Sequence, residues 1–536
     1  MQHQGVFPAF ASVARARPAN AFLHVPASAT AGYAAGELAY SYGEALTKVE
    51  VLRARYGEAG VGRGIRVAIL LENRPDYFFH WLALNALGAS VVPLNPDLRP
   101  AELGWILGHS EAALAVGIDE RQDDLREAIA QAGLSLPAIA PGDRVPALAG
   151  AAAPRPPSRE DECALMYTSG TTGKPKGCLL SNEYFLMMGE RYLNRRGYVE
   201  LEPGRSRVLT PLPMFHMNAM AGSTMGMILS GGCILQLDRF HPKTWWADVA
   251  QLQPTGIHCL GVMPAILLGR PPCPEERAHR IRYGTAANVE PQHHAAFEER
   301  FGFPLIEGWA MTETGAGAAI SADAEPRHPG TRCIGRPTTA MDYRIVHESG
   351  SDVAPGEAGE LLVRHQGDDP RRGFFSGYLK DEAATEAGWA GGWWHTGDVV
   401  CEWPDGSLHF VDRRKNVIRR SGENIAALEV EAALRGHPAV KALAVTPVDD
   451  PVRGEEVFAL VVPHDKAAGA AEAKAIFDYA HERLAYFKCP GYIAFVPGLP
   501  VTATQKLQRG ALRELAARLA GDFACHDLRP LKRRSA

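Results

Sequence analysis

After Arg66 the chain runs Val67-Ala68-Ile69-Leu70-Leu71 without a polar side chain, which predicts a buried strand. Pro75 then opens a helix whose apolar residues Phe78, Leu82 and the Leu84–Leu87 turn share one side, and Gly88 ends it. Ala89-Ser90-Val91-Val92-Pro93 reads as the next strand. Strand, crossover helix and strand in that order favour a parallel sheet with helices packed on it. The rhythm returns at Val208–Leu212, a helix near Asn218–Leu229, Cys233–Leu237 and Ile257–Val262. From Gly350 to Phe410 the texture changes to short strands with Gly turns, such as Gly359-Glu360-Leu361-Leu362-Val363. After Asp412 comes a charged turn, Arg413-Arg414-Lys415-Asn416, and then an α+β pattern to the end.

The expected fold class is therefore α/β. A large N-terminal domain of parallel-sheet subdomains and a β-rich part is followed by a small α+β C-terminal domain. A chain of 536 residues is too long for one simple core. The Pro- and Ala-rich stretch 137–158 is expected to be a surface connection.

With 56 Lys plus Arg against 61 Asp plus Glu, the net charge of −5 gives no reason to expect nucleic acid as a partner. The basic segment Arg529-Pro530-Leu531-Lys532-Arg533-Arg534 is short, and a solvated terminus is expected. The 9 Cys are scattered and form no Cys-x-x-Cys pair, which points to reduced thiols in a cytoplasm rather than disulfides or zinc. Met1 to Phe10 lacks the form of a secretory signal. Tyr77 to Leu94 is broken by His80, Asn85 and Gly88, so no membrane span is expected. Oligomeric state is left open, a homodimer included.

The densest chemical signal is Tyr167-Thr168-Ser169-Gly170-Thr171-Thr172-Gly173-Lys174-Pro175-Lys176-Gly177, after the strand Cys163 to Tyr167. Glycines let backbone N–H groups approach an anion, hydroxyls donate to phosphate oxygens, and lysines neutralise charge. Only Thr171 and Thr172 separate Gly170 from Gly173, and Pro175 follows Lys174, so this is not a Walker loop.

With that loop the sequence resembles the adenylate-forming superfamily, which includes acyl-CoA synthetases, luciferases and peptide-synthetase adenylation domains. Matching segments follow in the expected order from about Tyr40 to Arg509. The resemblance implies an N-terminal domain over 1–412 with ATP and acyl sites, a hinge at 413–416, and a mobile C-terminal domain over 417–536. Thr168, Ser169, Gly170, Thr171, Thr172, Gly173, Lys174 and Lys176 match the phosphate loop. Glu307-Gly308-Trp309-Ala310-Met311-Thr312-Glu313-Thr314 is similar to the aromatic-Gly-Met-Thr-Glu motif. It implies Thr312 on the α-phosphate, Glu313 on Mg²⁺ and Trp309 stacked on adenine. Trp309 stands where Tyr is usual, and Ala310 where Gly is usual.

Gly284, Thr285 and Ala286 take the place of a small-residue turn beside adenine and the acyl group. In Trp394-His395-Thr396-Gly397-Asp398, Asp398 matches the ribose-binding carboxylate. Arg413 matches the ribose-contacting Arg, Lys415 the hinge residue and Gly422 the Gly that lines the pantetheine tunnel. Lys506, within Leu499 to Leu507, falls on the catalytic lysine, although Gln505 replaces the usual Gly. Pro211 to Asn218 is similar to the acyl-CoA synthetase form of the acyl-pocket segment. It implies His216, Met217, Gly261 and Ala310 at that pocket. His216 stands where amino-acid-activating relatives carry Asp.

The function implied is an ATP-dependent acid–thiol ligase. A small carboxylic acid attacks ATP, with Mg²⁺ as cofactor, and the acyl group passes from AMP to CoA. Loading of a carrier-protein thiol is the alternative, and the hinge and Gly422 favour CoA. Intact Lys506, Glu313, Asp398 and Thr312 argue against a non-catalytic relative. The run Phe410 to Ile418 with Ser421-Gly422-Glu423-Asn424 is especially similar to bacterial carnitine/crotonobetaine-CoA ligases. A quaternary ammonium wants an aromatic or anionic cage, for which Trp245, Trp246 and Trp309 are available. Small aryl and alicyclic acids remain open.

Overall fold

The computed structural model describes residues 3–148, 150, 152–168, 174–260, 262–287, 289–413, 417–464, 468–500, 507–521 and 525–533. The chain divides into two compact units. The first comprises Met1–Pro96, Leu107–Met166 and Gly177–Asp412, and the second Asp97–Ile106, Tyr167–Lys176 and Arg413–Ala536.

The expected β-α-β unit is present. Strand Arg66–Leu70, helix Pro75–Ala86 and strand Ser90–Pro93 follow one another, and the two strands pair in parallel. Pro75 sits in the first helical turn, where its missing N–H has no intrahelical task. These strands lie in a seven-stranded sheet. Its spatial order is Gly377–Tyr378, Lys176–Ser181, Glu162–Thr168, Ser90–Pro93, Arg66–Leu70, Leu114–Gly117 and Ala138–Ile139. The last strand corrects the expectation for residues 137–158. Ala138–Ile139 extends the sheet in parallel, and Val145 and Leu148 are buried. Pro and Ala mark where a chain bends, but they do not report whether a free sheet edge is available to cover.

The eight-stranded sheet positions the chemistry. Six of its strands are parallel neighbours, in the order Leu305–Trp309, Tyr283–Ala286, Gly256–His258, Arg207–Thr210, Cys233–Gln236 and Ala21–Val25. The chain passes from Arg207–Thr210 to Cys233–Gln236 on one side, then returns to Gly256–His258 on the other. That reversal is a topological switch point, and open α/β sheets bind ligands outside the carboxyl ends of their strands there. A third, antiparallel sheet, with Cys333–Gly335, Leu408–Arg413, Trp394–Glu402, Ala358–His365 and Met341–Val346 in order, is the expected β-rich part.

The second unit contains a six-stranded sheet that is apolar on both faces. Successive residues of strand Gly454–Pro463 alternate between two clusters. Val457, Ala459 and Val461 join Ile493 and Phe477, whereas Phe458 and Leu460 join Ala494 and Leu512.

The described part of the C-terminal basic segment, residues 529–533, packs against the sheet through Lys532. Arg529–Leu531 forms a 3₁₀ turn, and Lys532 is buried. Lys532 Nζ donates to Glu456 Oε1 at 2.5 Å and to the Phe487 carbonyl at 3.1 Å. Arg420 Nε holds the other Glu456 oxygen at 2.8 Å. Arg529 pairs with Asp527 and Asp450 and lies over the Tyr492 ring. Burial first, then Arg420, lower the Lys532 pKa to about 7, and its amine donates to a carboxylate buried on the central strand.

Candidate active site

Four of the sequence-derived segments leave the carboxyl ends of those parallel strands. His216 and Met217 follow Arg207–Thr210. Thr285 and Ala286 end Tyr283–Ala286. Trp309 ends Leu305–Trp309, with Ala310, Thr312 and Glu313 just beyond. Gly261 belongs to the segment after Gly256–His258, but lies outside the described residues.

His216 sits in a turn whose N–H donates to the Pro213 carbonyl at 3.0 Å, with the Phe215 ring centre 4.5 Å away. Met217 is half-buried beside it. The expected helix near Asn218–Leu229 begins instead as a π-helical turn, Asn218–Ser223, before α-helix Thr224–Ser230. Two hydroxyls bond the carbonyls five residues back, Ser223 Oγ to Asn218 at 3.3 Å and Thr224 Oγ1 to Ala219 at 2.9 Å. Such widened turns recur at functional sites. No hydrophobic period marks them in a sequence.

Sequence reasoning also missed His258. It is fully buried at the end of its strand and is bound through Nδ1 to Ser223 Oγ in a short hydrogen bond. Burial first, then the nearby Arg195, push its pKa down to about 3, so the imidazole is neutral. Its Nε2 has no partner among the described residues.

Gly284, Thr285 and Ala286 form a strand rather than the expected turn, paired in parallel on both sides. The need for glycine at 284 comes from the core. A side chain there would begin 2.9 Å from Leu305 Cδ1 and 3.2 Å from Ile257 Cγ1. Thr285, at the strand's end, keeps a buried hydroxyl without a partner among the described residues.

Trp309 and Asp398 meet. The indole N–H donates to Asp398 Oδ2 at 2.8 Å, and both residues are buried. Asp398 N–H bonds Thr396 Oγ1 at 3.0 Å, and Thr396 in turn donates to the Leu361 carbonyl at 2.6 Å. This tie uses the indole nitrogen that distinguishes Trp309 from the usual Tyr. We expect Trp309→Phe to lower the unfolding free energy of the full chain by about 1.5–3 kcal/mol, as for a lost bond to a charged group. Denaturant titration measures it, and an unshifted midpoint would mean that the bond does not form in solution.

Trp245 and Trp246 lie apart from this pair. They pack in the core with Phe240, His279 and Phe301, and among the described residues no ring contact joins them to Trp309. The three indoles therefore do not form one ring cluster among the described residues.

Beyond Trp309, Ala310 is exposed and Thr312 half-buried. Tyr184 Oη donates to the Thr312 carbonyl at 3.0 Å. Glu313 is buried, and its Oε1 accepts from Tyr378 Oη at 2.8 Å. Burial first, then Glu313, push the Tyr378 pKa upward, so this phenol keeps its proton and donates. Gly315 closes the turn at φ +50°, where a side chain would run into the Tyr184 ring and the Gly373 carbonyl.

In the second unit, Thr168 ends one strand and Lys176 begins the next. Lys174 is exposed, with Nζ 5.5 Å from the Trp105 ring centre. Ser169, Gly170, Thr171, Thr172 and Gly173 lie outside the described residues, as do Lys415, Lys506 and the side chain of Arg413. Ser421 and Gly422, at φ +52° and +91°, form the two-residue turn joining strands Val417–Arg420 and Glu423–Ala426. Positive φ at both positions matches the twist of a hairpin, and Gly422 is exposed at its tip.

Residues 14–379 match the family described as AMP-binding enzyme, and residues 429–506 match the AMP-binding enzyme C-terminal domain. The chain belongs to the AMP-binding enzyme family. This AMP-binding enzyme is 33% identical over 481 residues to a sulfoacetate–CoA ligase of Cupriavidus necator, covering 88% of this chain and 91% of that protein. It is 29% identical over 492 residues to a crotonobetaine/carnitine–CoA ligase of Citrobacter koseri, covering 88% and 93%. A malonyl-CoA ligase solved with methylmalonyl-CoA and AMP superposes with a TM-score of 0.77 at 26% identity, covering 92% of this chain and all of that one. No helix among the described residues is long and apolar enough to cross a membrane.

Proposed function

We propose that this AMP-binding enzyme joins a small carboxylic acid to CoA at the expense of ATP, through an acyl-adenylate. The observation that carries the proposal is the alignment of Thr285, Trp309, Thr312, Glu313 and the Asp398 carboxylate at one edge of a parallel sheet. A carboxylate is a poor acylating agent because oxide is a poor leaving group. Its oxygen attacks the α-phosphorus of ATP, the bond to the β-phosphate bridging oxygen breaks, and pyrophosphate leaves with the electron pair. The CoA sulfur then attacks the acyl carbon, AMP leaves with its oxygen, and the thiol proton passes to solvent.

In this proposal Asp398 accepts from the ribose hydroxyls, with Trp309 orienting its carboxylate and flanking adenine. Arg413 adds a ribose contact. Gly284, Thr285 and Ala286 border adenine and the acyl group. Thr312 donates to the α-phosphate. Ser169–Gly173, Thr168, Lys174 and Lys176 take the outer phosphates, and Lys506 stabilises the charge that develops on the reacting one. His216, Met217, Gly261 and Ala310 border the acyl group. Lys415 is the hinge for the second step, and Gly422 borders the pantetheine arm.

The donors fit Mg²⁺. Glu313 is one oriented carboxylate with one oxygen tied by Tyr378, and Mg²⁺ is held by one or two carboxylates plus phosphates and waters. Bound there, the ion supplies charge neutralisation to the phosphates. Nine free cysteines support a reducing, cytoplasmic setting.

The test is pyrophosphate release over a panel of carboxylic acids, with and without CoA. One acid is expected to give a single turnover without CoA and continuous turnover with it, yielding acyl-CoA and AMP. A single turnover that CoA does not extend, but an added carrier-protein thiol does, would move the acceptor to the carrier protein. No acid-dependent release with any acid would end the proposal.

A further inference from the structure

Arg191 is a half-buried cation with no carboxylate of its own among the described residues. It stands in the last turn of helix Asn182–Asn194, and its Nη2 donates to Ser321 Oγ at 2.9 Å. The acid that acts on it electrostatically, Asp323, is already committed. Arg195 holds both Asp323 oxygens, Nε to Oδ2 at 3.0 Å and Nη2 to Oδ1 at 2.6 Å. Among the described residues no carboxylate forms an ion pair with Arg191. Burial, and then the neighbouring Arg195, push the Arg191 pKa down to about 10, so it remains charged at neutral pH. Two guanidiniums, Arg195 buried and Arg191 half-buried, face one carboxylate and leave an excess positive charge there. A partly desolvated cation gains most from an anion brought to it, because leaving it unpaired costs free energy.

The guanidinium lies where the acyl group is expected. Ser321, its hydrogen-bond partner, pairs with Gly308, the residue before Trp309. Ser321 Oγ is 3.4 Å from the point where a Gly308 side chain would begin, so no side chain intervenes there. On the other side, Tyr192 covers Gly222 in the π-turn after His216, its hydroxyl 3.3 Å from where a side chain would start. The Tyr192 ring centre is 5.6 Å from that of His258, whose strand neighbour is Thr285. Arg191 and Tyr192 thus bridge the Trp309 and His216 segments, between which His258 Nε2 and Thr285 Oγ1 lack partners among the described residues.

We propose that Arg191 is a specificity-determining residue that receives a second oxyanion, a carboxylate or sulfonate, at the far end of the acid this enzyme activates. The inference rests on the acid–CoA ligase function proposed above. It also sets a direction against a trimethylammonium acid, which would meet an uncompensated guanidinium with its own positive charge.

The wild-type enzyme is assayed for acyl-CoA formation with malonate, succinate and sulfoacetate, against acetate, propionate, butyrate and a trimethylammonium acid. Malonate and succinate test the carboxylate, and sulfoacetate the sulfonate. At least one dianionic acid is expected to exceed its monoanionic analogue in kcat/KM by about 30-fold or more, the scale of a buried charge pair. Arg191→Leu is expected to remove most of that preference and to favour the monoanionic acids, while Arg191→Lys keeps part of it. Equal kcat/KM for both kinds of acid in the wild type, or an unchanged ratio in Arg191→Leu, overturns the proposal. Should Arg191→Leu fail to fold, the wild-type ratio and Arg191→Lys decide. If no acid of any kind releases pyrophosphate, the ligase function itself has failed. If only monoanionic acids do, the ligase stands and Arg191 does not read a second anion.

Discussion

Lys506→Ala is expected to slow acid-dependent pyrophosphate release by about 10²–10³-fold, the usual effect of losing one preorganised donor to developing charge. The same variant, given preformed acyl-adenylate, is expected to make acyl-CoA at close to the wild-type rate. The second step transfers an acyl group away from AMP, and in the proposed mechanism Lys506 has no task in it. Lys415→Pro is expected to give the reverse pattern, with pyrophosphate released normally and thioester formed slowly. A proline fixes φ and restricts the residue before it, which would stiffen a hinge that must rotate between steps. Rapid-quench measurement of the two half-reactions separates these outcomes. Normal adenylation by Lys506→Ala would remove that lysine from the mechanism. Full overall turnover by Lys415→Pro would remove the hinge.

The second large effect is on stability. Lys532→Ala leaves Glu456 buried with Arg420 and, at 4.0 Å, Arg453, and should destabilise the C-terminal unit by about 3–5 kcal/mol, the usual result of breaking a buried pair. The surviving Arg420 contact places the effect toward the lower end of that range. Replacing all three partners, in Lys532→Met with Glu456→Gln and Arg420→Met, should recover much of the loss, because the buried charges are then removed together. Chemical denaturation of the full chain followed by a probe in the C-terminal unit measures both variants. A Lys532→Ala midpoint equal to wild type would show that the terminus is solvated after all.

Burial separates these cases from what the sequence displays. The segment Arg529 to Arg534 reads as an exposed basic tail because charge and terminal position are local properties. The Lys532 contact is with Glu456, which is distant in sequence, and only the folded sheet brings them together. Gly284 shows the converse. Its small size suggested a ligand-facing turn, yet Leu305 and Ile257 across the strand explain the glycine. Gly422 belongs to a third kind, since the positive φ values of its hairpin turn are sufficient local reason for a glycine.

Other parts were legible directly. Unbroken apolar runs alternating with helical segments specified parallel strands, although helix Pro75–Ala86 is buried nearly all round and not on one side alone. The order of polar motifs along the chain specified which segments to inspect, since phosphate, ribose and acyl chemistry each demand particular residue types.

Sequence alone thus determined the alternation of elements, the β-rich insertion and the segments of the candidate site, all of which are properties of neighbours along the chain. Tertiary structure alone decided that Trp309 holds Asp398, that Tyr378 holds Glu313, that His258 is buried beside Ser223, and that Arg191 has no carboxylate among the described residues. Each of these depends on the distance between side chains far apart in sequence and on the water removed from around them. Neither quantity exists until the sheets have closed.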